Sequence, residues 1–524
     1  MRRVAAFAFF FFFFLWFSMP TRKPTIQSRF FMRKVPATVA RKDYLGSILI
    51  NPGGPGGSGN AMAATWGPKF SAMLEGRYDI IGFDPRGVNM TTPKLGCYET
   101  EAQAVHATYK QTILGVPYDS RGSSALPGGT RARMEHAYLT RYGTHRGRSR
   151  EDGLNFWGFS YGTILGSTFA AMRPHLVKRM VLDGVSNAES YHNDIYQWGV
   201  DGLVDNHKTL EGFFDSCAEA GPERCAFAKS PSGKVSTSGA DLHSRLEALY
   251  SRLRDEPIPV SKSLTGPGIL TASDLKQVVF RGLYSPKLWP GLAQAIANAE
   301  AGSPQLLYDR EYGNYEEVKP GKGNENVFNR YMEKHGPPVT TAAIMCGDSE
   351  PAHKSLDQYA EYIHELGKSA PIGEIWALWT GFCASWKIRP GQKYDGPWSV
   401  EDGLRKTSRF PILYASLDAD PVTPLAAAQK MAKSFGNESA VLLVQEGYGH
   451  CTIAHPSLCT AKAIRDYFLK GKVPVPGTHC KPEPGHLFPG NDTKSVSALS
   501  FEDQKLWDAL RGLEDINTQF RHHL

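Results

Sequence analysis

Apolar runs of strand length alternate with stretches of helical spacing at both ends of this chain, and the alternation breaks in the middle. Gly46 to Ile50 is a short apolar run that ends in Asn51-Pro-Gly-Gly-Pro-Gly-Gly-Ser-Gly59. Tyr78 to Phe83 is a second run, closed by Asp84-Pro-Arg-Gly87, and Leu154 to Trp157 is a third, running straight into Gly158-Phe-Ser-Tyr-Gly162. An apolar stretch with helical character follows from Thr163 to Met172, and then a strand-like run from Met180 to Leu182. Strands that alternate with helices in this way predict a mostly parallel, doubly wound sheet.

Between about Ser190 and Gly403 strand signals are sparse. Leu242, Leu246, Leu249 and Leu253 recur at helical spacing, and Thr271-Ala-Ser-Asp274 is a capping signal for a helix through Leu283. This stretch reads as a largely helical insertion. The sheet pattern then returns, with Ile412 to Leu417 as a strand, Leu425 to Phe435 as a helix, Val441 to Val444 as a strand and Thr460 to Leu469 as a helix. The predicted organisation is therefore a leader over 1–20, the first part of a sheet domain over 21–190, a helical cap over 191–403, the second part over 404–490 and a helical tail over 491–524. Residues 121–150 carry seven arginines and almost no apolar periodicity. A sheet of this kind packs a helix just before its third strand, and this stretch reads instead as a long exposed loop or an altered sequence.

Composition narrows the class. Hydrophobic residues at 41% and charged residues at 21% are ordinary globular values over 524 residues. The net charge of +7 is spread without a long basic run, which argues against nucleic acid as a partner. Arg2 and Arg3 precede an apolar stretch from Val4 to Phe17 with six consecutive phenylalanines, Phe9 to Phe14. That charged start and short apolar run read as a secretory signal peptide, with an uncleaved membrane anchor as the alternative. Eight cysteines agree with export, and the close pairs Cys217/Cys225 and Cys451/Cys459 are predicted disulfides. No Cys/His spacing indicates zinc, so neither metal nor cofactor is expected. Glycosylation sequons stand at Asn89, Asn437 and Asn491.

The strongest chemical signal is Gly158-Phe159-Ser160-Tyr161-Gly162, the G-x-S-x-G turn between a strand and a helix. Small residues flank the serine because the turn is strained and its backbone crowds its neighbours, lifting the hydroxyl above the sheet edge. A serine hydroxyl needs a base to take its proton, and that base needs a carboxylate to orient it. On such a sheet the partners follow in the order Ser, acid, His, each from a loop after a strand. The loop after Leu417 offers Asp418-Ala-Asp420-Pro-Val-Thr-Pro424, and the one after Val444 offers Gln445-Glu-Gly-Tyr-Gly-His450. Asp420 precedes a proline that holds its backbone extended, so it is the expected acid, with Asp418 in reserve. His450 lies just past what reads as the last strand, behind two glycines, whereas nearby His455 precedes Pro456. For the oxyanion, the backbone N–H of Tyr161 is one expected donor, and Gly53 or Gly54 of the glycine-rich loop supplies the other. That loop lacks the Lys of a phosphate cradle.

Together N-P-G-G-P-G-G-S-G, D-P-R-G, W-G-F-S-Y-G-T, D-P-V-T-P and G-Y-G-H-C resemble the tripeptidyl aminopeptidase-like branch of the prolyl aminopeptidase family of α/β-hydrolases. The similarity covers about Ser47 to Lys94, Leu154 to Val185 and Phe410 to Val475. It implies an α/β-hydrolase fold, a triad of Ser160, Asp420 and His450, and a cap that restricts access to an exopeptidase site for free N-termini. Ala343-Ile-Met-Cys-Gly-Asp348 resembles a family segment. The resemblance also implies acidic cap residues that hold a substrate amine; Asp348 and Glu350 are the candidates, against a purely structural role for both. The expected activity is thus a secreted serine peptidase acting on peptides or small esters. A carboxylesterase or lipase on the same scaffold, and a catalytically impaired binding relative, are the alternatives.

Overall fold

Near-continuous apolar runs form strands because both faces of the sheet are covered. Ile48, Ile50, Trp157, Phe159 and Val181 face one buried layer, while Leu49, Phe156, Met180 and Leu182 face the other. The computed structural model describes residues 29–92, 153–312, 337–371, 373–390, 393–407, 410–490 and 499–520. The leader, residues 121–150 and the sequon at Asn491 lie outside the described residues.

The sheet contains β1 (Met32–Val35), β2 (Gly46–Asn51), β3 (Tyr78–Phe83), β4 (Leu154–Phe159), β5 (Val177–Asp183), β8 (Ile412–Ala419), β9 (Ala440–Tyr448) and β10 (His479–Cys480). Their order is β1-β3-β2-β4-β5-β8-β9-β10. Only β1 runs antiparallel to its neighbour within this sheet. β2 has β3 on one side and β4 on the other, so the strand order reverses there. Ligands of open α/β sheets bind beyond the carboxyl ends of strands at such a reversal. The sequence pattern missed β1 and β10, each four residues or fewer. His450 therefore follows β9 but not the last strand, because His479 and Cys480 pair with Val444 and Gln445.

Helices α1 (Gly59–Thr65) and α2 (Gly67–Met73) follow β2, and α3 (Tyr161–Met172) follows β4. The chain leaves the sheet after β5 and returns at β8. Between them the regular elements of the described residues are helices except for a hairpin of β6 (Ile258–Val260) and β7 (Gly268–Leu270). Leu242, Leu246, Leu249 and Leu253 are all buried on the helix Gly239–Asp255, and Thr271 and Asp274 form a reciprocal capping box on the helix Ala272–Leu283. The inserted helix α4 (Pro337–Asp348) bears on the site below. After β8 come α5 (Leu425–Phe435), α6 (Leu458–Lys470) and α7 (Phe501–Phe520). The last of these buries Leu506, Leu510 and Leu513 in the layer that holds Phe70 and Met73 of α2.

Disulfides join Cys217 to Cys225, Cys346 to Cys383 and Cys459 to Cys480. The expected Cys451/Cys459 pair does not form. Cys451 turns inward immediately after His450, buried against Gly184, while Cys459 on α6 reaches β10. Asn89 donates its amide to Ser58 Oγ at 3.0 Å and to Asp84 Oδ2 at 3.1 Å, so this sequon is engaged inside the fold, whereas Asn437 is exposed. No helix among the described residues is long and apolar enough to cross a membrane.

Candidate active site

Ser160 stands between β4 and α3 at φ 56 and ψ −124, a conformation that L-residues rarely adopt. The turn is held from several sides. Ser160 N–H donates to the carbonyl of Asp183 at 3.1 Å, and Thr163 returns its hydroxyl to the Ser160 carbonyl at 2.6 Å. A Cβ on Gly162 would approach the Asn51 carbonyl to 2.8 Å, and one on Gly158 would enter the Phe156 ring. That crowding is why glycine stands on both sides of the serine.

The glycine-rich loop after β2 closes directly on this turn. At Gly53 (φ +96) a Cβ would lie 2.5 Å from the Phe159 carbonyl and 2.7 Å from Ser160 Cβ. Only glycine allows that approach. Gly53 donates its N–H to Asn51 Oδ1 at 3.0 Å. This commits the Gly53 N–H to the loop, while Gly54, the other expected donor, is the next residue. Asp84 of D-P-R-G anchors the far end of the loop, accepting the Ser58 hydroxyl at 2.6 Å and the Asn60 N–H at 3.2 Å. Burial pushes the Asp84 carboxyl up to about 6 against the pull of those donors.

Asp420 and His450 meet across their two loops, with Nδ1 of the imidazole 3.0 Å from Oδ1 and 2.9 Å from Oδ2. Both side chains are buried. Asp420 also accepts the N–H groups of Val422, Thr423 and Cys451 and the hydroxyl of Thr423 at 2.7 Å. Burial alone would push its pKa up. The charge and hydrogen bond of His450, with the backbone donors, outweigh that and hold the carboxyl below its ordinary value. With Nδ1–H given to the carboxylate, Nε2 is the basic nitrogen of His450. The inserted region completes the setting, since the Tyr284 carbonyl accepts the His450 N–H at 2.9 Å and its ring stands edge-on, 5.2 Å away.

The reserve residues have other partners. Asp418 accepts the Gly447 N–H at 2.8 Å, fixing the bend after β9. His455 is buried, accepts the Tyr448 N–H on Nδ1 at 3.2 Å, and is driven down to about 3 by burial and by His486. Asp348 lies at the end of α4, buried, where it receives the Tyr161 hydroxyl at 3.0 Å. Glu350 is half-exposed and paired with Lys393. Asp420, His450 and Cys451 bring a carboxylate oxygen, a ring nitrogen and a sulfur within 4.8 Å of one another. The carboxylate–imidazole hydrogen bond accounts for that clustering without a metal.

Two residues were not singled out from sequence. The Thr423 hydroxyl oxygen is 3.0 Å from His450 Nδ1 as well as bonded to Asp420, and a hydroxyl three residues after an acid is the signal that marks it. Asp183, at the end of β5, accepts Thr452 N–H and hydroxyl on its carboxylate at 2.7 and 2.6 Å. Gly184 beside it abuts Thr423 and Cys451, so the Ser160 turn borders the Asp420–His450 pair.

A strained serine at the carboxyl edge of a parallel sheet, bordering a buried carboxylate–imidazole pair, belongs to a serine hydrolase of α/β fold. Residues 46–221 match the family described as alpha/beta hydrolase fold, and residues 369–480 match the one described as TAP-like protein. The chain is 25% identical over 471 residues to serine protease Hip1 of Mycobacterium tuberculosis, covering 85% of this chain and 82% of that one. It is 26% identical over 484 residues to carboxylesterase B of the same organism, covering 87% and 83%. Tripeptidyl aminopeptidase of Streptomyces lividans is 24% identical over 477 residues, covering 87% and 80%. Over these segments the chain is similar to the TAP-like α/β-hydrolases.

Proposed function

We propose that this chain is a secreted serine exopeptidase that releases short peptides or residues from free N-termini through Ser160, Asp420 and His450. The observation that carries the reading is the buried Asp420–His450 hydrogen bond beside the strained Ser160 turn. Asp420 stays ionised, orients the imidazole through Nδ1 and stabilises the imidazolium. Nε2 of His450 takes the Ser160 proton as Oγ attacks the scissile carbonyl. The Tyr161 and Gly54 N–H groups receive the oxyanion, and His450 then protonates the leaving amine. Water repeats the sequence on the acyl-enzyme and frees the acid. Peptide specificity is supported by the relatives named protease and aminopeptidase, and secretion by three disulfides and the apolar leader.

The relative named carboxylesterase B favours a second reading, an esterase on the same scaffold. Purified protein and its Ser160→Ala variant, assayed on tripeptide anilides and short acyl esters, separate the two. The proposal expects anilide turnover that the variant loses while keeping its fold. Ester turnover alone would select the second reading, and an enzyme that a fluorophosphonate fails to label at Ser160 would defeat both.

A further inference from the structure

Helix α4 of the insertion touches both halves of the oxyanion site proposed above. Near its start, Thr341 donates its hydroxyl to the Pro55 carbonyl at 2.6 Å, in the loop that carries Gly53 and Gly54. A Cβ on Gly56 of that loop would come within 3.3 Å of the same hydroxyl. At the other end, Asp348 Oδ2 accepts the Tyr161 hydroxyl at 3.0 Å and the Tyr191 hydroxyl at 3.4 Å. Tyr161 is the residue whose backbone N–H is the other donor. Its ring lies 5.6 Å from that of Tyr191, so the side chain is gripped at both face and tip.

The helix is itself anchored. Cys346 is bonded to Cys383, and Arg389 donates to the Cys346 carbonyl at 2.7 Å and to the Ser349 carbonyl. Burial, followed by the charge of Asp348, keeps the Tyr161 hydroxyl protonated and therefore a donor. Asp348 is buried among groups that already occupy it: two tyrosine hydroxyls, with Lys393 and Arg389 nearby.

We propose that Asp348 is a positioning residue, which holds the Tyr161 side chain so that the backbone N–H of Tyr161 stays aimed at the oxyanion. With Thr341 on the glycine-rich loop, α4 is then a strut that sets the spacing between the two donors. The inference rests on the serine hydrolase reading above and extends it to a group that touches no reacting atom. It also separates Asp348 from the role of amine ligand. An amine ligand acts on substrates with a free N-terminus and chiefly through KM. A strut acts on the transition state of every acyl substrate, through kcat.

The experiment compares wild type, Asp348→Asn, Tyr161→Phe and the double variant on a free tripeptide anilide, its N-acetyl counterpart and a short nitrophenyl ester. A peptide aldehyde, whose bound hemiacetal carries the oxyanion, is titrated against each. The proposal expects kcat to fall about tenfold on every substrate that the wild type turns over, a fraction of the loss for deleting a donor outright. KM should move by less than about twofold, and aldehyde affinity should weaken in step with kcat. Tyr161→Phe, which removes one hydroxyl, should match Asp348→Asn, and the double variant should be no worse. A loss confined to KM for the free-amine substrate would make Asp348 an amine ligand and overturn the proposal. Unchanged kcat and aldehyde affinity in a folded Tyr161→Phe protein would also overturn it. The ester arm keeps the result readable if peptide preference is absent, whereas an unlabelled wild-type Ser160 overturns this inference together with its parent.

Discussion

Asp183 and Thr452 are joined by two hydrogen bonds, 2.7 Å to the backbone N–H and 2.6 Å to the hydroxyl, both accepted by the same buried carboxylate. The Asp183 backbone carbonyl holds Ser160 N–H at 3.1 Å, so one residue ties the serine turn to the segment two residues beyond His450. Asp183→Asn keeps the shape but replaces one acceptor oxygen with a donor. It is expected to destabilise the fold by about 2 kcal/mol, typical of charge-assisted bonds lost in a buried site. Turnover should fall with it, and urea unfolding beside steady-state kinetics checks both. Full stability and full turnover in the variant would remove Asp183 from this role.

Thr423 shares its hydroxyl between Asp420 and His450. Thr423→Val preserves volume and removes the bond. A loss of about 1 kcal/mol of orientation predicts a fall in kcat of roughly fivefold with KM little changed. Kinetics on any turned-over substrate tests this, and Thr423→Ser should recover most of the loss.

Gly53 carries a positive φ and lies against Ser160 Cβ. Gly53→Ala must move either the loop or the serine, so turnover should drop by about a hundredfold or more, as for loss of an oxyanion donor. Fluorophosphonate labelling rates report that loss directly. Labelling at the wild-type rate would show that the loop stands clear of the reacting serine.

Asp348 adds a pH dependence to stability. Burial foremost pushes its carboxyl up to about 7 from an unfolded value of 3.8. Between those values the folded chain keeps a proton that the unfolded chain has lost. The neutral carboxyl's contribution is therefore complete below 3.8 and fades as pH rises through about 7. Asn does not titrate, so wild-type stability relative to Asp348→Asn should decline by up to about 4 kcal/mol across that window. Urea midpoints of both proteins from pH 4 to 8 read the difference, and a flat line would contradict it.

The sheet was legible because its strands are buried on both faces and read as unbroken apolar runs, and the Ser160 turn because its glycines answer to backbone crowding. Short β1 and β10 carry too few residues for a pattern. Cysteine pairing followed contacts that sequence spacing does not report. Cys459 points from α6 toward a strand 21 residues on, while Cys451 is folded under the histidine loop. The tie between Asp348 and Tyr161 spans 187 residues, and nothing local to either residue announces it. What sequence supplied was the set of loops bearing Ser160, Asp420 and His450; what it lacked was the scaffold that braces them.

The three disulfides of the described residues share a property. Cys217–Cys225 and Cys346–Cys383 close within the stretch between β5 and β8, and Cys459–Cys480 closes beyond it. None crosses from the roof to the platform. Among the described residues the contacts that span that seam are reversible, including Tyr161 to Asp348, Thr341 to Pro55, Thr209 to Ala419, Asn206 to Pro421, His450 to Tyr284 and Lys430 to Glu189. Oxidation of these three pairs thus hardens each piece separately, and among the described residues the joint between them is held by hydrogen bonds and ion pairs.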